Sequence, residues 1–272
     1  MKPYAGKLLI TDIDGTLITP EFTFPERNRE AIARFVEGGG LFSLATGRSL
    51  VELDLVLERY GLRPYITAPV ILSGGSSIYD LSARKALDEV FIHSSGRTIL
   101  AELMDLFPHT GVYAYTNEEI FVLRPCEMAE NRFDFEGLSR RPITLEELPE
   151  KIFRYCFVDD SDIIWEIILY TQRHAYRFPN IDFLRTERRM QEIIPININK
   201  GLSLRKLAAL LDIPLDHTFA VGDYYNDAEL LALAGHSFTP SNAPEDIQAL
   251  AEKVVCHCSE GAVADVIDLI CR

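Results

Sequence analysis

Short apolar runs alternate with segments of helical periodicity at both ends of this 272-residue chain, and this alternation constrains the fold more than any other feature. In the N-terminal part, the runs at 7–12, 41–45 and 70–72 predict strands, and residues 25–36 predict a helix whose apolar side chains share one face. Strands that alternate with helices favour a mainly parallel sheet with helices on both faces. Ligands of such a sheet gather beyond the carboxyl ends of its strands.

The C-terminal part of the chain repeats this alternation. Helices are predicted over 202–211, 227–234, 244–251 and 262–270, and strands over 218–221 and 254–256. Asn242 lies near the expected start of the helix over 244–251. Near the N-terminus, another helix is expected to open at Ser49, because Glu52 lies at the spacing of a capping box. The two ends of the chain therefore predict one α/β core, a doubly wound, Rossmann-like parallel sheet.

The middle of the chain interrupts the alternation. Residues 73–77 are rich in Gly and Ser, and we interpret them as a flexible junction. The region beyond carries strand-like pieces at 87–92, 111–115, 119–123, 152–158, 181–185 and 191–196, and helical pieces at 95–106 and 160–171. An α+β domain over 80–189, inserted into a core formed by 1–79 and 190–272, accounts for this mixture with two chain crossings. One large continuous domain is the alternative.

Composition limits the partners of the chain. Its formal net charge of −14 argues against nucleic acid and against anionic membranes, because both are bound mainly through Lys and Arg. The N-terminal apolar stretch is too short for a signal peptide, and no apolar run approaches the length of a membrane span. These features predict a cytoplasmic protein with no nucleic-acid or membrane partner.

The cysteines argue against a disulfide framework. They are Cys126, Cys156, Cys256, Cys258 and Cys271. Their odd number and scattered positions suit a reducing compartment. The Cys-His-Cys sequence at 256–258 suggests zinc, but a zinc site usually needs a second pair of ligands, and the sequence shows none. We therefore expect no metal role for these thiols.

The sequence Asp-Ile-Asp-Gly-Thr-Leu at 12–17 directly follows the first predicted strand. Residues two apart on an extended chain point the same way, so Asp12 and Asp14 can face one ligand, and Gly15 lets the backbone turn. Neighbouring carboxylates repel each other, and a hard cation such as Mg²⁺ offsets that repulsion through oxygen ligands. A polar turn after a strand explains a lone Asp-x-Asp but not the whole string.

Three further motifs lie at the ends of predicted core elements. Thr46 and Gly47 end the second strand, where a hydroxyl and a backbone N–H can bind a phosphoryl oxygen. Lys200 opens a helix, and because helix N-termini attract anions, a lysine there indicates a phosphate site. Asp223 follows another apolar strand and supplies the second acidic group of a divalent-metal cage. A turn and a surface lysine are the alternatives for the first two motifs taken singly. A helix cap accounts for one of Asn226 and Asp227, but not for Asp223.

These four motifs, in this order, resemble those of the haloacid dehalogenase-like phosphatases. The insertion after the third core strand is similar to the α/β cap, of the C2 type, in the Cof-type branch of that superfamily. The resemblance covers nearly the whole chain. It implies Asp12 as the nucleophile and a metal ligand, Asp14 as the general acid/base whose backbone carbonyl also binds the metal, and Asp223 as the second metal carboxylate.

The resemblance also implies how phosphate is held. The implied phosphate-binding residues are Thr46, Gly47, Lys200 and Asn226. Asp227 is implied to support Lys200 or the water shell of the metal. The chain departs from the family pattern where Gly74 replaces an Asn and where bulky Tyr224 replaces a small residue, so the substrate stays open.

The function that the resemblance implies is a Mg²⁺-dependent phosphatase. Its substrate is expected to be a small phosphate monoester, a sugar phosphate or similar metabolite, hydrolysed through an aspartyl-phosphate intermediate. Asp14 argues against a dehalogenase, which does not need a second Asp. A phosphomutase or phosphotransferase on the same core and a non-catalytic sensor of phosphorylated metabolites are the alternatives. A monomer or a small homo-oligomer is expected.

Overall fold

The computed structural model describes residues 2–270. Its strands are β1 (Leu8–Thr11), β2 (Leu41–Leu44), β3 (Val70–Leu72), β4 (Ser77–Asp80), β5 (Lys85–Glu89), β6 (Gly111–Tyr115), β7 (Ile120–Arg124), β8 (Arg141–Pro142), β9 (Arg154–Val158), β10 (Ile181–Glu187), β11 (Met190–Pro195), β12 (Thr218–Val221), β13 (His236–Pro240) and β14 (Lys253–Val255). Its α-helices are α1 (Glu26–Glu37), α2 (Leu50–Tyr60), α3 (Ser95–Leu106), α4 (Glu127–Glu136), α5 (Ser161–His174), α6 (Lys200–Leu210), α7 (Ala228–Leu233), α8 (Glu245–Gln248) and α9 (Ala262–Ile270).

The chain forms two compact units. The core unit comprises the chain up to Gly47, Val56–Glu89 and the chain from Asn199 onward; the inserted unit comprises Arg48–Leu55 and Val90–Ile198. The chain therefore passes between the units at 47/48, 55/56, 89/90 and 198/199, whereas the sequence suggested two crossings. The predicted domain bounds, 1–79 with 190–272 and 80–189, stay a prediction.

The core unit is built on a parallel sheet in the order β14-β13-β12-β1-β2. A parallel bridge between Ala45 and Ile71 adds β3 beside β2, and β3, β4 and β5 form an antiparallel meander. The chain order of the strands reverses between β1 and β12, so the carboxyl ends of these two strands flank the crevice where ligands of such sheets bind.

The strands of the core sheet are short and apolar because both of their faces are covered. Leu8 and Ile10 of β1 share one apolar cluster with Leu204 of α6 and Leu230 of α7. Leu9 is also fully buried and points to the opposite face, because side chains alternate along a strand. The helices α1 and α9 pack against each other and against strands of this sheet. The α/β fold class with a parallel core is confirmed.

The inserted unit contains a six-stranded sheet in the order β10-β11-β9-β6-β7-β8. Its strand pairs are antiparallel except for the parallel pair β7–β8. Helices α3 and α5 contribute to the apolar cluster on one face, and α4 contributes to a second cluster. Val51 and Leu55 of α2 pack against this second cluster, which explains why their segment belongs to the inserted unit.

A buried arginine lies among the charged groups of the inserted unit. Arg154 donates to Glu52 at 2.8 Å and to Glu192 at 3.2 Å, and its guanidinium lies 4.0 Å from the ring centre of Tyr115. Glu52 also accepts the N–H and hydroxyl of Ser49, at 2.6 and 2.8 Å, which confirms the carboxylate half of the predicted capping box. Two acidic side chains thus share one buried cation.

The helix α4 and the strands β4, β8 and β13 were not predicted. The helix α4 has charged residues on most of its surface, and only a few side chains, such as Ala129 and Phe133, are apolar and buried, so its sequence lacks an apolar stripe. The strand β13 begins with His236 and ends with Pro240, and it shows no apolar run. In addition, α8 covers only Glu245–Gln248 of the helix predicted over 244–251.

Residues 73–77 form a buried turn rather than the predicted flexible junction. All of the serines in this segment are buried. A Cβ atom at Gly75 would lie 2.5 Å from the carbonyl oxygen of Asn199, so glycine here permits a close approach of two backbone segments. After this turn, the chain stays in the core unit as far as Glu89. Composition alone does not separate a flexible linker from a tightly packed turn.

Cys126, Cys156, Cys256 and Cys258 are free thiols, and Cys271 lies outside the described residues. His257 Nδ1 lies 2.8 Å from the hydroxyl of Ser259. Among the helices within residues 2–270, none combines the length and the apolarity that crossing a bilayer requires.

Candidate active site

The loop after β1 carries Asp12 and is held in a tight turn. The carbonyl of Ile13 accepts the backbone N–H groups of Leu17 and Ile18, at 3.0 and 2.9 Å. Gly15 has a φ of +83°, a left-handed conformation that glycine adopts without strain. The glycine of the motif is therefore required by the backbone, and Asp12 lies buried at the carboxyl end of β1.

Lys200 is the first residue of α6, and its side chain is fully buried. Its ammonium donates to Asp12 Oδ1 and to Asp227 Oδ1, at 2.6 Å each. Asn199 caps the helix by accepting the N–H of Leu202 at 2.7 Å, which fixes the backbone from which Lys200 projects. The lysine thus joins the loop after β1 to the turn before α7.

The turn after β12 supplies two more carboxylates. Asp223 Oδ1 accepts the hydroxyl of Thr16 at 2.6 Å. Asp227 Oδ2 accepts the backbone N–H groups of Asp223 and Tyr224, at 3.2 and 3.3 Å. Gly222 is required beside them, because a Cβ atom there would lie 2.5 Å from the Cβ of Asp227. The side chain of Asp227 therefore fixes both the lysine and the backbone that carries Asp223.

Within residues 2–270, one set of three metal-capable side chains has ligand atoms that all lie within 4.8 Å of one another, and it consists of Asp12, Asp223 and Asp227. Asp227 is already engaged by Lys200 and by two backbone N–H groups. Asp12 and Asp223 are then the carboxylates that can hold a cation. Such an all-oxygen donor set suits a hard divalent ion, so the residues present fit the predicted metal.

The electrostatics of the site also favour a cation. Burial raises the pKa of the Asp12 carboxyl well above its usual value; Lys200 opposes this shift, and the charges of Asp227 and Asp223 add to it. Burial raises the pKa of Asp223 to about 7, against the hydrogen bond from Thr16. Burial lowers the pKa of Lys200, but Asp12 and Asp227 outweigh that effect, so this pKa lies above its usual value. One buried ammonium does not fully compensate the clustered carboxylates.

The metal-free protein is expected to lose stability as the pH rises from about 4 through about 7. The carboxyl of Asp223 binds its proton more tightly in the folded chain than in the unfolded chain. Folding therefore takes up protons at pH values between the unfolded pKa of 3.8 and the folded pKa of about 7. Mg²⁺ is expected to stabilise the protein more at high pH, because the carboxylates then bind it without releasing protons. Melting temperatures in EDTA and in Mg²⁺, measured from about pH 5 to about pH 8, check both trends.

Asp223→Asn is the control for this prediction. The variant lacks the titrating carboxyl, so its melting temperature in EDTA is expected to fall less steeply with pH than that of the wild type. Equal slopes for the two proteins would show that the stability of the metal-free chain does not depend on the protonation of Asp223.

The other predicted site residues follow neighbouring strands of the core sheet. Asp14, after β1, is exposed. Thr46 and Gly47 lie just beyond the end of β2; Thr46 is buried, and its N–H donates to the carbonyl of Ile71 at 2.9 Å. Asn226 lies half-buried in the turn between Asp223 and α7. The carboxyl ends of β1, β2 and β12 share one edge of the sheet, so all of these residues lie at that edge, and their roles stay predictions.

Tyr224 and Tyr225, the bulky residues of the last motif, lie outside the carboxylate cluster. Their side chains are 39% and 50% exposed, and their ring centres lie 4.9 Å apart in an edge-to-face arrangement. The hydroxyl of Tyr225 donates to Asp246 Oδ1 at 3.4 Å. The bulk at these positions therefore leaves the geometry of the aspartates and Lys200 intact.

Two polar contacts of the site were not predicted from the sequence. Thr16 lies inside the first motif, and its hydroxyl contact with Asp223 gives a reason for a threonine at that position. Asn242 was expected near a helix start, but α8 begins after Pro244, and the amide of Asn242 instead donates to the carbonyl of Gly15 at 2.9 Å. Sequence spacing carried no signal for this contact, because it joins residues 227 apart.

Comparison with known families identifies the family of this chain. The sequence model of a family described as haloacid dehalogenase-like hydrolase matches residues 9–267. The chain belongs to the haloacid dehalogenase-like hydrolases. The match covers residues of both the core unit and the inserted unit of this hydrolase, and it confirms the family and the enzyme class predicted from the four motifs.

Curated relatives of this hydrolase are phosphatases by name. HMP-PP phosphatase of Cronobacter sakazakii is 29% identical, and the alignment covers 93% of this chain and 91% of the relative. The 5-amino-6-(5-phospho-D-ribitylamino)uracil phosphatase of Bacillus subtilis is 25% identical over 96% of this chain and 97% of its own. Both alignments extend over nearly the full length of both chains, which agrees with the predicted phosphatase type of the enzyme.

Solved structures share the fold. A haloacid dehalogenase-like hydrolase from Bacteroides thetaiotaomicron superposes with a TM-score of 0.86 at 22% identity, covering 97% of this chain and 99% of the other. A sugar phosphatase of subclass IIB of the same superfamily gives a TM-score of 0.84 at 20% identity over 97% and 98% of the two chains. These similarities confirm the predicted arrangement of a parallel core with an inserted α+β domain.

Proposed function

We propose that this hydrolase is a Mg²⁺-dependent phosphatase of small phosphate monoesters, and that it works through an aspartyl-phosphate at Asp12. The observation that carries the proposal is the buried pairing of Lys200 with Asp12 and Asp227, with Asp223 beside them. A carboxylate that is buried, oriented by an ammonium and placed at a sheet edge suited to phosphate has the properties of a nucleophile in phosphoryl transfer.

Asp12 attacks phosphorus in line with the leaving oxygen. A bond forms between the Asp12 carboxylate oxygen and phosphorus, and the bond from phosphorus to the ester oxygen breaks. The hydrogen bond from Lys200 to Oδ1 restrains the rotation of the carboxylate, so the attack begins from a fixed orientation. Bound Mg²⁺, held by Asp12, Asp223 and the backbone carbonyl of Asp14, would supply the positive charge that keeps the nucleophile and the phosphoryl oxygens from repelling each other.

Asp14 acts as the general acid in the first half of the reaction and as the general base in the second. Its carboxylic acid donates a proton to the departing alcohol, and the resulting carboxylate then takes a proton from the water that attacks the aspartyl-phosphate. That second attack releases inorganic phosphate and restores the carboxylate of Asp12. The exposure of Asp14 supports this role, because the group must meet both the substrate and water.

The remaining predicted residues offset charge on the transferring phosphoryl group. Negative charge spreads over its equatorial oxygens in the transition state, and donors fixed in advance stabilise that charge. Thr46 is buried just beyond the end of β2, at the same edge of the sheet as Asp12 and Lys200. We assign Thr46, Gly47, Lys200 and Asn226 to this task, with Asp227 holding Lys200 in place.

The substrate is proposed as a small phosphorylated metabolite. The names of the relatives include HMP-PP phosphatase and a phosphatase of a phosphoribitylamino-uracil, and a structure with the same fold is described as a sugar phosphatase. A screen of phosphorylated heterocycles and sugar phosphates would separate these two groups of compounds.

Purified protein is expected to hydrolyse p-nitrophenyl phosphate only when Mg²⁺ is present. The coloured nitrophenolate measures the rate; EDTA should stop the reaction, and excess Mg²⁺ should restore it. An equal rate in EDTA would remove the metal from the proposal, and no turnover of the aryl phosphate or of any compound in the screen would remove the phosphatase. Phosphate that moves to a sugar phosphate acceptor without appearing in solution would identify a phosphomutase instead.

A further inference from the structure

The amide side chain of Asn242 connects two loops of the core unit and has no role in the reaction described above. Its Nδ2 donates to the carbonyl of Gly15 at 2.9 Å, and its Oδ1 accepts the backbone N–H of Cys258 at 3.0 Å. Asn242 follows β13, while the two groups that it binds follow β1 and β14. One amide thus ties the loop of the nucleophile to the far edge of the sheet.

The peptide that Asn242 binds lies beside the carboxylate of Asp223. The Cα of Gly15 faces the Asp223 carboxylate so closely that a Cβ atom would lie 2.5 Å from Oδ2. The next residue, Thr16, donates its hydroxyl to Oδ1 of the same carboxylate at 2.6 Å. Oδ1 of Asp223 is therefore held by the residue that follows Gly15, and Oδ2 lies close to the backbone at Gly15.

The carbonyl of Gly15 accepts its hydrogen bond from Asn242, which lies outside the loop after β1. The N–H of Gly15 donates to the carbonyl of Ile18 at 2.9 Å, and the carbonyl of Ile13 accepts N–H groups from within the loop. These bonds fix the inner side of the turn. The amide of Asn242 fixes the plane of the peptide between Gly15 and Thr16 from the outer side.

We infer that Asn242 is a positioning residue for the metal carboxylate: its N–H donor orients the peptide after Gly15 and thereby holds Asp223 in the geometry that binds Mg²⁺. The inference rests on the proposed function, because it concerns the same metal site. Partners that orient metal ligands typically contribute about 10- to 100-fold to metal affinity. Removal of the Asn242 donor is therefore expected to weaken Mg²⁺ binding by about that factor, while the fold is retained.

Asn242→Asp removes the donor and keeps the acceptor, because aspartate has the size of asparagine and can accept the Cys258 N–H but cannot donate to Gly15 when ionised. Gln248→Ala is the matched control. Gln248 is another amide near β13, and it donates to the backbone carbonyls of Ser241 and Ala243 without touching the loop of the nucleophile. Mg²⁺ affinity is measured by isothermal titration calorimetry on the full chain, and folding by thermal unfolding.

The expected result is a Mg²⁺ dissociation constant raised about 10-fold or more in Asn242→Asp and unchanged in Gln248→Ala. The rate with p-nitrophenyl phosphate should return towards the wild-type value at saturating Mg²⁺, which a general loss of structure would not allow. The negative charge that Asn242→Asp adds would by itself attract the cation, so a loss of affinity is attributable to the missing donor. Asn242→Ala, which lacks both hydrogen bonds, should lose affinity in the same direction.

Wild-type Mg²⁺ affinity in either Asn242 variant would overturn the inference and leave the phosphatase proposal standing. An equal loss in Gln248→Ala would also overturn it, because the effect would then come from the stability of the region after β13. A wild-type protein that neither binds Mg²⁺ nor hydrolyses phosphate esters would overturn the proposed function, and the inference with it.

Discussion

Asp12→Asn is expected to lower turnover of p-nitrophenyl phosphate by more than about 10³-fold. The amide cannot form the bond to phosphorus, and it also removes one carboxylate from the proposed metal site. The chain should still fold, because Lys200 keeps its contact with Asp227. Burial disfavours the charged form of Asp12 and raises its pKa, and a neutral amide at this position is free of that unfavourable effect. Loss of activity together with a cooperative unfolding transition would identify a chemical role rather than a structural one.

Asp88→Asn is the matched control for this variant. Asp88 also belongs to the core unit and pairs with a lysine, Lys206, at 2.6 Å, but these side chains are 35% and 46% exposed. The same chemical change there should leave the rate within about twofold, because exposed ion pairs contribute little. An Asp12→Asn protein with wild-type turnover would exclude Asp12 as the nucleophile.

Arg154→Met is expected to destabilise the protein by about 3–5 kcal/mol, the largest loss that we predict for a residue away from the active site. The side chain of Arg154 is 9% exposed, and it is bound to Glu52 and Glu192, which are 11% and 6% exposed. Methionine fills similar space but leaves two buried carboxylates without their cation. The free energy of unfolding in urea measures the loss.

Arg132→Met is the control for burial. Arg132 also pairs with two carboxylates, Glu136 and Glu187, at 2.9 and 2.7 Å, but its side chain is 43% exposed. Water screens the pair with Glu187, and the buried Glu136 keeps Arg48 as a partner, so the expected loss is below about 1 kcal/mol. Similar losses in the two variants would show that burial does not govern the strength of these ion pairs.

The positions of Asp12, Asp223 and Lys200 were predictable because local sequence patterns indicate where strands and helices begin and end. Asp12 comes directly after an apolar strand and Asp223 one residue beyond another, and the parallel sheet brings the carboxyl ends of those strands together. Lys200 was predicted from its place at a helix start, and the structure puts its ammonium between Asp12 and Asp227. In each case a strand or helix end fixes the position, and sequence patterns predict such ends.

The contacts that fix orientation could not be predicted in the same way. The hydroxyl of Thr16 reaches Asp223, and the amide of Asn242 reaches Gly15, across 207 and 227 residues of sequence. Each depends on one rotamer and on the exact separation of two loops, which no local pattern encodes. The helix α4 was missed for a related reason, since a helix covered with charge has no apolar periodicity to detect.

The membership of Arg48–Leu55 in the inserted unit has a consequence for chimeric enzymes. A graft that exchanges only residues 90–198 between relatives would carry Glu136 and Arg154 away from their partners in this segment. Arg48 pairs with Glu136 at 2.7 Å, with both side chains 7% exposed, and Glu52 pairs with Arg154. Exchange of the inserted unit within the family therefore needs two donor segments, and the shorter one begins immediately after Gly47.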